Sequence, residues 1–172
     1  MSSFTSVVRA EPEDTTEIMR LLVNTAEWLL SKGSTQWNGL LRGEDSHNTP
    51  EAISRGDVYI FKQDRRIAGM VMLLTEPSAW DRELWGEQGL DGTAVYLHRL
   101  AIDRKFAGRN VGKQIMTWAE DAVPTRLGKR LIRLDCLAGI RKLNDFYSGL
   151  GYRYVGESAN ESGSFSKYEK KV

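Results

Sequence analysis

The order of apolar runs along this 172-residue chain predicts a mixed α/β fold. Three observations carry the prediction. Two β-rich runs, "DVYIFKQ" (57–63) and "RIAGMVMLL" (66–74), are joined by a tight polar connection, which predicts a hairpin. Two more apolar strands, 93–102 and 130–138, flank a single helical stretch, and such a crossover implies parallel neighbours in mid-sheet. Amphipathic helical spacing at 12–32 and after 110 supplies covering helices.

Each element follows from its residues. "FTSVVRA" (4–10) reads as a first strand. From Pro12 to Lys32, Ile18, Leu21, Leu22, Ala26, Leu29 and Leu30 recur at helical spacing until Gly33 stops the helix. Residues 31–48 are loop-like, with Trp37, Leu40 and Leu41 as anchors. Thr49 and Pro50 offer an N-cap and a first-turn proline for a short helix ending near Gly56. Turn residues over 76–92 interrupt the strands, and "TAVYLHRLAI" (93–102), apolar on both faces, reads as a central strand. Val111, Ile115, Trp118, Ala119 and Ala122 form one face of a helix expected to end near Pro124. "RLIRLDCLA" (130–138) is a further strand, and "RKLNDFYSGLG" (141–151) is a short helix ended by Gly151. "YRYVGE" and a weaker final strand, "SFSKYEK", close the chain.

Composition narrows the function classes. A hydrophobic fraction of 41% with 27% charged residues is that of a globular protein, and the absence of a linker or repeat predicts one domain over 1–172. Net charge of +1 offers no chain-wide attraction for nucleic acid or an anionic membrane. No apolar run approaches the roughly 20 residues of a membrane span, and the start lacks a signal-peptide core, so a cytoplasmic location is expected. One cysteine excludes an internal disulfide, and with two histidines it argues against a zinc site.

"RKFAGRNVGKQ" (104–114) is the stretch that points to a ligand. The first N–H groups of the helix beginning near Val111 lack intrahelical partners and carry partial positive charge, so a pyrophosphate could accept several bonds there. Gly108 and Gly112 permit close backbone approach, and Asn110 is a residue type that tolerates positive φ. Lys105, Arg109 and Lys113 could add charge at the rim. A Walker A loop is disfavoured because three residues, not four, separate the glycines and Gln114 stands where Ser or Thr would hold Mg²⁺. From this stretch alone, a plain capped helix with basic surface residues remains open.

With its neighbours, this region resembles the GNAT superfamily of acetyl-CoA-dependent N-acetyltransferases. The family's phosphate loop reads here as "AGRNVG" (107–112), with Ala107 where Gln or Arg is usual and Asn110 in place of a middle Gly. A second signature, "N…FY…GY", reads as Asn144, Phe146, Tyr147, Gly151 and Tyr152. The two motifs stand in the right order, and the element order extends the resemblance over nearly the whole chain.

The resemblance implies a twisted, mostly antiparallel sheet flanked by helices, with a splayed parallel pair that binds acetyl-CoA as cosubstrate. Pantetheine would pair with the backbone of Leu100, Ala101 and Ile102. The pyrophosphate would rest on Gly108, Arg109, Asn110, Val111, Gly112 and Lys113, with Ala107 contributing backbone only. It also implies that the Leu100 N–H polarises the thioester carbonyl, that Tyr147 protonates or holds the departing sulfur, and that Asn144 bonds pantetheine or fixes its helix.

The acceptor would be a small-molecule or peptide amine. An ammonium of pKa about 10 must lose a proton before it can attack, so a base is needed. Strand alternation puts Tyr96, His98, Leu100 and Ile102 on one face, which makes His98 the candidate base; a hydrogen-bonded core histidine is the other reading. Arg99, on the opposite face, reads as an ion-pair partner, and Cys136 as an inert core residue. For Tyr147 the other, less favoured reading is a buried packing residue. Glu76, Asp81, Glu83, Glu87 and Asp91 with Trp80 and Trp85 could form a rim for a cationic amine, or a solvated hairpin with its tryptophans in the core. Two functions stay open: an acetyltransferase working by direct attack in a ternary complex, and a non-catalytic CoA-binding regulatory module. Exposed edge strands leave a homodimer open.

Overall fold

The computed structural model describes Phe4, residues 6–87, Leu90 and residues 92–172. Among the described residues seven strands form one sheet in the order β1-β2-β3-β4-β5-β7-β6, a mixed α/β architecture. The strands are β1 (Ser6–Arg9), β2 (Val58–Gln63), β3 (Arg66–Leu74), β4 (Ala94–Ile102), β5 (Leu131–Leu137), β6 (Arg153–Asn160) and β7 (Gly163–Lys171). The helices are α1 (Thr15–Ser31), α2 (Asn38–Leu41), α3 (Thr49–Arg55), α4 (Ala79–Trp85), α5 (Val111–Arg126) and α6 (Arg141–Gly149). The parallel pair expected from the crossover is present: Ala94, Val95 and Tyr96 of β4 stand opposite Leu131, Ile132 and Arg133 of β5. β1 and β2, β2 and β3, β5 and β7, and β6 and β7 pair antiparallel.

The chain resolves into two compact units, residues 1–73 with 98–118 and residues 74–97 with 119–172. In the first unit the hairpin turns at Asp64 and Arg65, both with positive φ (49° and 76°), which fits a two-residue hairpin loop. α1 buries Ile18, Leu21, Leu22 and Ala26, the face its spacing predicts. Leu30 is exposed, because at about 100° per residue it has rotated off that face. Trp118 of α5 packs against Tyr59 and Phe61 of β2, with ring centroids 5.0 Å and 5.3 Å away. Gly69 lets β3 approach α5: a Cβ there would stand 2.7 Å from Ile115 Cδ1 and 3.0 Å from the Ala101 carbonyl oxygen. α3 starts one residue earlier than its cap reading, with Asn48 rather than Thr49 at the N-cap and the Asp45 carboxylate accepting from the Thr49 N–H at 2.7 Å.

In the second unit two expectations are corrected. Residues 79–85 form α4 within the segment read as turns, started by a capping box in which Ser78 and Asp81 each accept a backbone N–H of the other. The final strand is not weak: β7 runs nine residues and lies between β5 and β6. Its alternation is masked because its charged residues are paired, Glu169 with Arg133 and Arg153, and Lys170 with Glu120, while Phe165 and Tyr168 are buried. α5 also continues past Pro124 to Arg126, since a proline in the last turn forfeits a single N–H bond.

Candidate functional site

The loop before α5 is built by glycine and asparagine backbones. Asp103 anchors its start: its N–H donates to the Ala68 carbonyl at 2.9 Å, and its carboxylate accepts from the Lys105 N–H at 2.9 Å. A 3-10 turn over Arg104–Phe106 follows. Gly108 then takes φ 80° and Asn110 φ 57°, so the asparagine occupies the left-handed region its residue type tolerates. The first helical bond is made by Gln114, whose N–H donates to the Asn110 carbonyl at 3.0 Å.

The consequence is a run of unused donors. Among the described residues, the backbone N–H groups of Gly108, Arg109, Asn110, Val111, Gly112 and Lys113 donate to no protein acceptor. Three belong to the helix's first turn and three to the loop that leads into it, so partial positive charge is concentrated there. Ala107 through Asn110 are exposed to solvent, with Lys113. Arg104 does not extend into this space, because its guanidinium stacks on the Trp28 ring 3.8 Å from the centroid. Arg109 lies over Phe106 at 5.4 Å.

On β4, Ala101 is buried, while Leu100 and Ile102 are partly exposed. Arg99 has φ 54°, a left-handed step inside the strand. This step corrects the expected alternation, which cannot be carried from His98 across to Leu100 and Ile102. His98 is buried and stacks on His47 with ring centroids 4.1 Å apart at 31°. His47 is held far below the usual imidazole range, first by burial and then by the neighbouring His98 and Arg99 charges, and so stays neutral. Arg99 is the ion-pair partner expected of it, donating to Asp45 at 3.1 Å and lying 5.3 Å over the Trp37 ring. Burial pushes the Arg99 pKa down, and Asp45 counters that. Burial alone would raise the Asp45 carboxyl; hydrogen bonds from Thr49 and the Arg99 charge outweigh it and leave the group lowered.

In the second unit, Tyr147 is buried on α6, 6.1 Å from the Tyr152 ring and 6.2 Å from Tyr168. Its hydroxyl pKa is raised, first by burial and then by Cys136 and Asp135, so it is protonated at neutral pH. Asn144, one turn earlier, is used by the protein itself. Its amide donates to the carbonyls of Ile140 (2.9 Å), Leu137 (3.1 Å) and Ala138 (3.4 Å), and its oxygen accepts from the Tyr168 hydroxyl at 2.7 Å. Cys136 is buried, and burial followed by Asp135 pushes its thiol up to about 12, which fits an inert core residue.

The tryptophans of α4 are also engaged. Trp80 Nε1 donates to both Asp135 oxygens at 3.3 Å. Trp85 lies beneath Arg133 at 4.8 Å and Lys167 at 5.5 Å, so its π-face already meets the protein's own cations. Glu76, Glu83 and Glu87 are exposed while Asp81 is buried, and Asp91 falls outside the described residues.

The candidates therefore fall into two groups. His98, Leu100, Ala101, Ile102 and Ala107 through Lys113 belong to the first unit; Asn144 and Tyr147 belong to the second. Sequence reading missed Asp45 and His47. One signal was available for His47, since a chain with only two histidines makes each worth placing.

Comparison with known proteins gives concordant results. Residues 26–152 match the Acetyltransferase (GNAT) family. The chain is 46% identical over 160 residues to a Bacillus subtilis (strain 168) protein described as the uncharacterized N-acetyltransferase YesJ, covering 93% of this chain and 86% of the other. A GNAT-family acetyltransferase crystal structure from Listeria monocytogenes 4b F2365 is similar, with TM-score 0.81 and 35% identity over 97% of this chain and 94% of that one. The PaiA N-acetyltransferase of Thermoplasma acidophilum, crystallised with coenzyme A, shares the fold at TM-score 0.70 and 15% identity, covering 97% and 98% of the two chains.

Proposed function

The chain belongs to the acetyltransferase (GNAT) family, and on that premise we propose that it moves the acetyl group of acetyl-CoA to a primary amine by direct attack in a ternary complex. The observation that carries the reading is the run of six unused N–H groups from Gly108 to Lys113. Such a run suits a pyrophosphate, whose oxygens can accept several backbone bonds at once. Neither Ala107 nor Asn110 weakens it, because the donors are main-chain atoms and Asn110 holds the left-handed angle that a glycine would otherwise supply.

Acetyl-CoA supplies an activated thioester; this protein's groups orient it and move protons. The backbone of Leu100, Ala101 and Ile102 is assigned to pantetheine, and the Leu100 N–H to polarising the thioester carbonyl, where negative charge develops. His98 takes the proton from the incoming ammonium, directly or through water, and its neutral neighbour His47 does not compete with it for charge. Tyr147, protonated at neutral pH, gives a proton to the departing sulfur or holds it by a hydrogen bond. Asn144 holds the turn between β5 and α6 and positions Tyr147 from one helical turn away.

A panel of amino acids, polyamines, peptides and aminoglycosides, screened by release of free CoA thiol, tests the reading. At least one primary amine should give catalytic release. Coenzyme A binding without turnover across the panel would favour a non-catalytic module, and no calorimetric binding at millimolar coenzyme A would sink both.

A further inference from the structure

Adjacent residues of an extended strand point to opposite faces. In β4, His98 and Arg99 do not. His98 stacks on His47, and Arg99 reaches Asp45 and Trp37, so both side chains meet the same 37–48 segment. The left-handed φ of 54° at Arg99 accounts for this, because it rotates the backbone between the two residues. An arginine holds such an angle only where its surroundings over-determine it. Here the surroundings are few and identifiable.

We propose that Asp45 is a positioning residue for the transfer reaction: by holding the Arg99 guanidinium it keeps β4 in the left-handed step that aims His98 and the next N–H, that of Leu100. The inference rests on the roles assigned to His98 and Leu100 above.

Asp45 is placed to do this. The Asp45 and Arg99 side chains are 15% and 6% exposed, so the pair is shielded from water. Asp45 Oδ1 accepts from Arg99 at 3.1 Å and from the His47 N–H at 3.3 Å, and Oδ2 accepts from the Thr49 N–H at 2.7 Å. One carboxylate thus ties the strand to the backbone of the segment carrying His47 and to the start of α3. Arg99 Nε is buried with no hydrogen-bond partner. Losing the Asp45 charge would leave that guanidinium with the Trp37 ring alone, and it would turn toward water. The step then loses its support, β4 relaxes toward an extended angle, and both His98 and the Leu100 amide are re-aimed.

Asp45→Asn tests this, since it retains an oxygen for the Thr49 N–H but removes the charge. The readouts are nuclear magnetic resonance of the two histidine side chains and of the Leu100 amide, together with steady-state kinetics using acetyl-CoA and the most active amine of the screen. The expected result is that His98 and Leu100 signals move and kcat falls about 10- to 100-fold, the scale on which small misplacements act. KM for acetyl-CoA should rise by less than kcat falls, because the Leu100 contact to pantetheine shifts while the pyrophosphate loop is untouched. Unmoved His98 and Leu100 signals, an unchanged kcat, or a KM that rises as much as kcat falls would each overturn the proposal. If Asp45→Asn does not fold, Trp37→Leu, which strips one face of Arg99 but keeps its counter-ion, must move the same two signals; unmoved signals there overturn it equally. A wild-type protein inactive toward every amine would count against the assigned function alone, and the resonance positions would still decide the Asp45 role.

Discussion

Asn144→Ala should cost this protein about 3–4 kcal/mol. The figure follows from the bonds lost. An amide has two hydrogens, so its two shorter donations, to Ile140 and Leu137, are counted with the bond accepted from Tyr168. Three bonds at about 1 kcal/mol net each give about 3 kcal/mol, and the Tyr168 hydroxyl on a 3% exposed side chain adds to the cost when it loses its acceptor. For a chain of this size each kcal/mol lowers Tm by about 2–4 °C, so a fall of about 6–16 °C is expected. Thermal and urea unfolding measure it. Tyr168→Phe removes only the last bond, and the double variant should be less destabilised than the two single changes summed, by about 1 kcal/mol or more. A loss below about 1 kcal/mol for Asn144→Ala, or strict additivity, would refute the assignment of Asn144 as the clamp of the β5–α6 turn.

Three further outcomes are expected. Tyr147→Phe should lower kcat more than it changes the coenzyme A affinity seen by calorimetry, and an unchanged kcat would remove Tyr147 as the proton donor. Asn110→Gly should leave coenzyme A binding within a few-fold of wild type, whereas Asn110→Val, with a β-branched residue at φ 57°, should lose stability by about 1–2 kcal/mol and weaken binding; equal behaviour of the two would deny the angle its importance. Cys136, its thiol pushed up to about 12 and buried, should resist iodoacetamide at pH 8 in the folded protein and react only in denaturant; rapid native labelling would contradict that.

Much of this fold was legible because periodicity and burial coincide in it. The hairpin, the parallel pair and the buried face of α5 each follow from residues whose spacing matches their element. Asn110 was legible for a different reason, since few residue types other than glycine accept its angle. α4 was hidden by its turn-rich flanks, although the Ser78-to-Asp81 capping spacing was there to be read. The rank of β7 in the sheet was hidden because its charges are satisfied by partners far away in sequence, Glu169 by Arg133 and Lys170 by Glu120.

The site divides along the same line. The run of unused N–H groups is local, built by consecutive residues, and so was legible in eleven letters of sequence. The grouping of Asp45, His47, His98 and Arg99 is not local: it depends on a left-handed arginine inside a strand, which no propensity favours. Trp85 is a case in which the contacts decide between two readings. The sequence left open a rim for a cationic amine or a tryptophan turned inward, and Arg133 and Lys167 lying over its ring favour the second.

The central claim is that the backbone of residues 108–113 receives the pyrophosphate of acetyl-CoA, and backbone amide resonances test it most directly. On titration with coenzyme A, the amides of Gly108 through Lys113 should show the largest shifts, saturating with the calorimetric isotherm. Saturable binding that leaves those six amides unmoved would contradict the account.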